Sequence, residues 1–98
     1  MLSTMARAGA TGFLKSLALE VAADGVTVNS IQPGSHDTER LRSLYGGDVS
    51  RAANDVPMGH VGDAAQFGQI AAFLCSEAAS FITGAAVPVD GGRCGALQ

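Results

Sequence analysis

The feature that most constrains the fold is an uncharged, mostly β-branched run at residues 26–32. It lacks a clean alternation of apolar and polar side chains and ends at Pro33-Gly34, as a buried strand of a parallel sheet does. The other predicted strand is the short segment 85–89, where Pro88 indicates an edge or a strand end. Because a parallel sheet buries both faces and normally has several strands, two strands are too few. The sequence therefore predicts that part of the fold lies outside these residues.

Helical patterns surround the two predicted strands. Residues 3–23 carry apolar side chains at helical spacing and stop at Asp24-Gly25, where Gly25 suits a helix end. A short helix over Glu39–Leu44 follows a polar stretch that can cap it, and a longer one begins after Asp63 and runs to about Glu77. The order is helix, strand, a lid-like loop that contains the short helix, helix and strand. It predicts an α/β fold in which a right-handed crossover joins two parallel strands with flanking helices.

Composition limits the function classes. The chain has 98 residues, 47% of them hydrophobic, and a formal charge of −3, which fits one small soluble domain with a thin core. Six Lys and Arg residues without a cluster argue against nucleic acid and anionic membrane as partners. No apolar run approaches the roughly 18 residues of a membrane span, and no secretory signal is recognisable at the start. We expect a cytoplasmic protein that binds neither nucleic acid nor membrane.

The cysteines and histidines do not form a recognisable metal site. Cys75 and Cys94 lie outside any ligand spacing, so we expect both reduced, with Cys75 packed in the interior and Cys94 without a role. His36 and His60 lack neighbouring metal-ligating residues, so the sequence predicts no metal site. A solvated loop histidine is the default interpretation of His36.

Five motifs in order carry a resemblance to a known family. They are Val28-Asn29-Ser30-Ile31-Gln32-Pro33-Gly34, Thr38, the segment Pro57-Met58-Gly59-His60-Val61-Gly62-Asp63, Ile82-Thr83-Gly84, and Val89-Asp90-Gly91-Gly92. Together they resemble the C-terminal half of the short-chain dehydrogenase/reductases, in the branch of the 3-oxoacyl-acyl-carrier-protein reductases. The resemblance implies the C-terminal fragment of a doubly wound parallel, Rossmann-like sheet, with a partial domain at residues 1–92 and a tail at 93–98.

The resemblance also implies cofactor-binding residues. NAD or NADP would lie across the carboxyl ends of the strands, with the backbone after Pro33 and Gly34 against the nicotinamide. The backbone near His36 would hold the carboxamide, and the Thr38 hydroxyl would reach the carboxamide or the pyrophosphate. The alternative reading is that Pro33-Gly34 only ends a strand and that Thr38 only caps a helix. The segment Glu39–Asn54 is expected, by similarity, to shape a substrate pocket.

Two departures from the family pattern concern phosphate binding and proton transfer. A Gly-rich turn after a first strand is absent, and residues 9–12 do not replace it because they lie within a predicted helix with no strand before it. The resemblance would place the catalytic Tyr and Lys at Ser3 and Arg7. Serine is a far weaker acid than a phenol, and arginine stays protonated. Alternatively, Ser3 is a helix N-cap and Arg7 an exposed helix residue.

These observations predict a truncated or atypical NAD(P)-dependent oxidoreductase. Its complete form would act on a small carbonyl or alcohol substrate, and this chain alone is not expected to be catalytic. Expected partners are a second copy of the chain or the missing N-terminal half. An alternative is a non-catalytic module that assembles through its helices, because missing sheet neighbours would leave apolar surface to cover. A small protein that binds unrelated ligands on its own is the least favoured of these hypotheses.

Overall fold

The computed structural model describes residues 1–95 and contains three α-helices and four short strands in the order α1, β1, β2, α2, β3, α3, β4. The helices are α1 Leu2–Val21, α2 Glu39–Leu44 and α3 Ala64–Leu74. The strands are β1 Ser30–Pro33, β2 His36–Asp37, β3 Gly62–Asp63 and β4 Ala86–Val89. Single 3₁₀ segments occupy Ala22–Asp24, Val49–Asp55 and Glu77–Ala79. The predicted α/β class with parallel strands and flanking helices is confirmed.

The chain forms two compact units. The first contains residues 1–30 and 72–87, and the second contains residues 31–71 together with the described residues from Pro88 onward. The predicted tail at 93–98 lies partly outside the described residues, because these end at Gly95.

Strand β1 is hydrogen-bonded to β4 as predicted. In the first unit, the amide of Gly84 donates to the carbonyl of Val28 over 2.8 Å, and the amide of Ser30 donates to the carbonyl of Ala85 over 2.9 Å. The partners follow one another in the same chain direction, which identifies a parallel pair. The second sheet is the short parallel pair of β2 and β3, in which His36 is opposite Gly62.

The first strand is shorter than the predicted run 26–32. The amide of Val26 donates back to the carbonyl of Val21, so this residue still belongs to the helix end. The amide of Val28 donates to the hydroxyl of Thr83 over 3.0 Å rather than to a neighbouring strand. Hydrogen bonds to a side chain and to the helix end therefore take the place of the first strand-to-strand hydrogen bonds that were expected. At the helix end, Gly25 has a φ of 75° and its amide donates to Ala22, which confirms it as the terminating residue.

The third helix ends earlier than expected, at Leu74 instead of about Glu77. The amides of Cys75 and Ser76 donate to carbonyls three residues back, which tightens the last turn and stops the helix. Cys75 is exposed, and the prediction that it packs in the interior is wrong. Cys94 is exposed too, with its amide donating to the Asp90 carboxylate.

The core is thin, as the length predicts. Among residues 1–95, the buried ones are Ala18 and Ala79 in the first unit and Ala52 and Val56 in the second. Three of the four are alanines, so little apolar area leaves water within either unit. No helix in the described part of the chain combines the length and apolar character needed to cross a bilayer.

Candidate functional site

A cavity of about 460 Å³ opens in the second unit where β1 ends. This volume falls within the roughly 300–1,000 Å³ typical of small-molecule sites. Three stretches of chain line it: the end of β1 with the residues that follow, helix α2, and the start of α3. The lining residues are Pro33, Gly34, His36, Thr38, Arg40, Leu41, Leu44, Ala64 and Phe67. All four residues predicted to bind the cofactor, Pro33, Gly34, His36 and Thr38, are therefore in one cavity wall.

Gly34 lies where the chain leaves β1 and passes very close to the residue after β4. Its amide donates to the carbonyl of Val89 over 3.0 Å. A Cβ placed on Gly34 would lie 2.7 Å from the Cα of Asp90, which is closer than side-chain carbons approach backbone atoms. Glycine is required here by this close approach, and the preceding Pro33 has no amide to extend the ladder.

The imidazole of His36 is held from three directions. Its Nδ1 lies 3.1 Å from the carbonyl oxygen of Gly34. Because a carbonyl only accepts, Nδ1 is the donor in this contact. Phe67 packs edge-on against the ring at 5.1 Å and 77°. A Cβ on Gly62 would come within 2.6 Å of the ring, so a side chain at this opposing position would force the imidazole to shift.

Thr38 is the N-cap of α2, and its hydroxyl accepts a hydrogen bond from the amide of Leu41 over 3.3 Å. The predicted capping role is therefore confirmed. The hydroxyl hydrogen can still be donated to a molecule in the cavity, because the cap uses only the oxygen. The sequence predicted the bounds of α2 correctly, and this helix supplies part of the pocket that the segment Glu39–Asn54 was expected to shape.

A bidentate ion pair brackets Thr38 in sequence. The guanidinium of Arg42 donates to both carboxylate oxygens of Asp37, over 2.7 Å from Nε and 2.8 Å from the terminal nitrogen. This hydrogen bonding holds the pKa of the Asp37 carboxyl below its ordinary value and raises the pKa of Arg42. The pair joins β2 to α2 on either side of the threonine, so it restrains the backbone that presents the Thr38 hydroxyl.

Ser3 and Arg7 lie in the first unit, on the first two turns of α1, and both are exposed. Four residues apart, they are on one face of the helix, as a Tyr and Lys pair would be. The helix begins at Leu2 with Met1 as its N-cap, so Ser3 is inside the first turn. The alternative interpretation of Ser3 as the N-cap is therefore wrong.

The chain's single lysine and single tyrosine are engaged elsewhere. In the first unit, the ammonium of Lys15 donates to the carbonyl of Gly84 over 3.2 Å. In the second unit, the guanidinium of Arg51 lies 5.9 Å from the ring centre of Tyr45. Residues 1–95 contain no group of three or more His, Cys, Asp or Glu side chains that could hold a metal ion.

Sequence reasoning expected the segment Glu39–Asn54 to contribute to a pocket but did not single out the apolar side chains of the cavity or its arginine. Leu41 and Leu44 are three apart on α2, and Phe67 belongs to the apolar stripe of α3, which reads as packing. Arg40 is an exposed charge on a short helix, without a pattern that marks it as a lining residue. Only the tertiary arrangement brings these side chains to one cavity.

Comparison with known proteins places the chain in a family. The family model described as enoyl-(acyl carrier protein) reductase matches residues 2–93. The 3-oxoacyl-[acyl-carrier-protein] reductase FabG of Pseudomonas aeruginosa is 39% identical over 89% of this chain and 35% of its own length. FabG of Salmonella typhimurium is 44% identical over 89% of this chain and 36% of its own length. The chain thus spans about a third of the length of these curated relatives.

Two solved structures resemble the chain. YwfH, titled an NADPH dependent reductase involved in bacilysin biosynthesis, superposes with a TM-score of 0.87 at 31% identity over 95% of this chain and 39% of its own. A short chain dehydrogenase family protein from Francisella tularensis gives a TM-score of 0.78 at 25% identity, over 92% and 42% of the two chains. The expected Rossmann-type fold is confirmed, and the partial coverage agrees with a portion of a longer fold. The chain belongs to the enoyl-(acyl carrier protein) reductase family of that model, within the short-chain dehydrogenase/reductases.

Proposed function

We propose that the cavity beside β1 receives the nicotinamide end of NAD(P) and a small carbonyl or alcohol substrate. The chain would serve as part of an oxidoreductase whose phosphate-binding region lies outside these 98 residues. The observation that carries the proposal is the convergence of Pro33, Gly34, His36 and Thr38 on one cavity at the carboxyl end of a parallel strand. Open α/β sheets bind their ligands at this end of the strands.

The residues fit one end of the cofactor. Apolar walls formed by Leu41, Leu44 and Phe67 suit an aromatic ring, and the Thr38 hydroxyl offers a donor for its carboxamide. NAD(P), when bound, would supply or accept the hydride. The sequence has no Gly-rich turn between a strand and a helix to hold the pyrophosphate. The chain therefore fits the nicotinamide end of the cofactor without a site of its own for the remainder.

The residues at the positions expected to transfer a proton support the proposal that this chain is inactive. The hydroxyl of Ser3 is a much weaker acid than the phenol that the family resemblance implies at this position. Arg7 keeps a positive charge that could bind ribose hydroxyls, but it stays protonated and cannot relay a proton. We propose that Ser3 and Arg7 leave these 98 residues without turnover, even where a cofactor binds.

Calorimetric titration of the full chain with NADH, NADPH and reduced nicotinamide mononucleotide tests the cofactor proposal. We expect the three to bind with dissociation constants within about threefold of one another, because the adenosine half finds no site. Thr38→Val should weaken the binding of all three molecules roughly three- to tenfold, because a hydrogen bond is lost. Thr38→Ser retains the hydroxyl and the cap and should bind normally.

Thr27→Val, at an exposed position in the first unit, is the matched control and should leave the three affinities unchanged. If none of the three molecules produces heat or protects the chain against thermal unfolding, the cofactor proposal is wrong. NADPH binding far tighter than that of the mononucleotide would contradict the assignment of the nicotinamide end alone.

A second candidate function, assembly through the helices, is favoured by the exposed apolar side chains. In the first unit, Phe13 on α1 is 66% exposed, Leu19 is 73% exposed and Phe81 is fully exposed. Large exposed apolar side chains, where they form a patch, are typical of surfaces that associate. We propose that α1 self-associates as a non-catalytic assembly element.

Light scattering over a dilution series tests the assembly candidate. The chain should have at least the mass of a dimer at high concentration, and its melting temperature should rise with concentration. Phe13→Gln should shift the association to higher concentration, whereas Thr27→Gln, on an exposed loop, should not. A monomer at every concentration, with a melting temperature independent of dilution, would exclude this candidate.

A further inference from the structure

The cavity beside β1 has an uneven distribution of charge. Its ionisable lining groups are the imidazole of His36 and the guanidinium of Arg40, and no carboxylate is among the described lining residues. The rest of the wall is mostly apolar, contributed by Pro33, Leu41, Leu44, Ala64 and Phe67. An apolar cavity with a cation and no lining anion favours a ligand that has an apolar body and a negatively charged group.

Arg40 differs from the other arginines of the second unit. Arg42 is paired with Asp37, Arg51 lies over the ring of Tyr45, and Arg93 donates to the hydroxyl of Ser35 over 3.5 Å. Within residues 1–95, the guanidinium of Arg40 has no hydrogen-bond or ion-pair partner. Its charge is therefore free to pair with a ligand.

Neighbouring carboxylates do not cancel this charge at the cavity. Asp37 is already engaged by both donors of Arg42. Glu39 precedes Arg40 on α2 but does not line the cavity.

We propose that this cavity selects an apolar substrate that bears an anionic group, a carboxylate or a phosphate ester, and that Arg40 is the residue that recognises the anion. The inference rests on the proposed function for its assumption that the substrate end of the reaction occupies this cavity. A guanidinium presents a planar fork of donors that matches two oxygens of either anion. Arg40 acts in specificity, and the chemistry of hydride transfer does not depend on it.

Matched probes of equal size test the selection. The full chain is titrated with phenylbutyrate, with its neutral counterpart phenylbutyramide, and with phenylethyl phosphate, with binding followed by NMR chemical shifts. We expect each anion to bind about two- to fivefold more tightly than the amide, the effect of a solvent-exposed ion pair. The anion that binds more tightly identifies the preferred anionic group.

Three variants test whether Arg40 causes the preference for anions. Arg40→Gln should remove the preference for the anions and leave the affinity for the amide unchanged, whereas Arg40→Lys should keep part of the preference. Arg51→Gln removes a charge that does not line the cavity and should behave as the wild type does. Equal binding of anions and amide by the wild-type chain, or a preference that survives Arg40→Gln, overturns the proposal.

The failure of the cofactor proposal can be distinguished from the failure of this one. Reduced nicotinamide riboside, which carries no phosphate, is titrated against the wild type and Arg40→Gln in parallel. If it does not bind while the anion preference depends on Arg40, the cofactor assignment is wrong and the selection by Arg40 stands. If it binds both proteins equally while no anion preference is found, the selection by Arg40 is wrong and the cofactor assignment stands.

Discussion

Replacement of Gly34 by alanine should lower the free energy of unfolding by about 1–3 kcal/mol, the usual cost of overpacking a close contact. The new Cβ would lie 2.7 Å from the Cα and 2.8 Å from the Cβ of Asp90. Because one of these atoms belongs to the backbone, the end of β1 must move away from residue 90. That shift stretches the hydrogen bond from the Gly34 amide to Val89 and displaces one wall of the cavity.

Gly68→Ala is the matched control, because it makes the same chemical change in the same unit. Gly68 lies within α3, and a Cβ placed there has no atom of another part of the described chain within 4 Å. Alanine should raise stability there by about 0.5–1 kcal/mol, because glycine is a poor helix former. Urea unfolding followed by circular dichroism measures both variants. Equal stability of Gly34→Ala and the wild type would show that residue 90 does not pack against Gly34 in solution.

The second large effect is expected at Asn29, whose side-chain amide joins two backbone groups of the first unit. Its Nδ2 donates to the carbonyl of Ile82, and its Oδ1 accepts from the amide of Ala85, each over 3.0 Å. Asn29→Ala leaves both partly buried groups without these partners. The free energy of unfolding should fall by about 2–3 kcal/mol, because unsatisfied groups keep their desolvation cost.

Hydrogen exchange gives a local measurement of the same change. The Ala85 amide should exchange faster in Asn29→Ala, because its acceptor is removed. Asn54→Ala, at an exposed position, is the matched control and should change stability by less than about 0.5 kcal/mol. Unaltered exchange at Ala85 in Asn29→Ala would refute the assignment of this bridge.

Local sequence rules predicted the elements whose ends depend on neighbouring residues. The bounds of α2 follow from the Thr38 cap, and the end of the first helical segment follows from Gly25. The same rules failed where distant residues intervene. The run 26–32 has strand propensity, but the Thr83 hydroxyl takes the amide of Val28, and the strand starts only at Ser30. Cys75 was expected in the interior but is exposed just after the end of α3.

For the candidate site, the motif order predicted four residues that the structure places in one cavity wall, although their binding to a cofactor stays a prediction. The apolar walls came from residues that look like ordinary packing, and the lining charge of Arg40 has no sequence signature. The placement of Ser3 and Arg7 at the positions of the family's Tyr and Lys comes from the family resemblance alone and stays a prediction. The structure adds that the helix begins before Ser3, which removes its N-cap role.

The sequence by itself determined the α/β class, the parallel pairing of its two main strands and the thinness of the core, because these follow from periodicity, turn residues and chain length. Tertiary structure alone decided that Gly34 must be glycine, since the reason is the approach of Asp90, more than fifty residues away. It also decided that Arg40 lines the cavity beside β1 without a partner in the described chain. Such contacts between distant residues depend on how the elements pack, which local patterns do not encode.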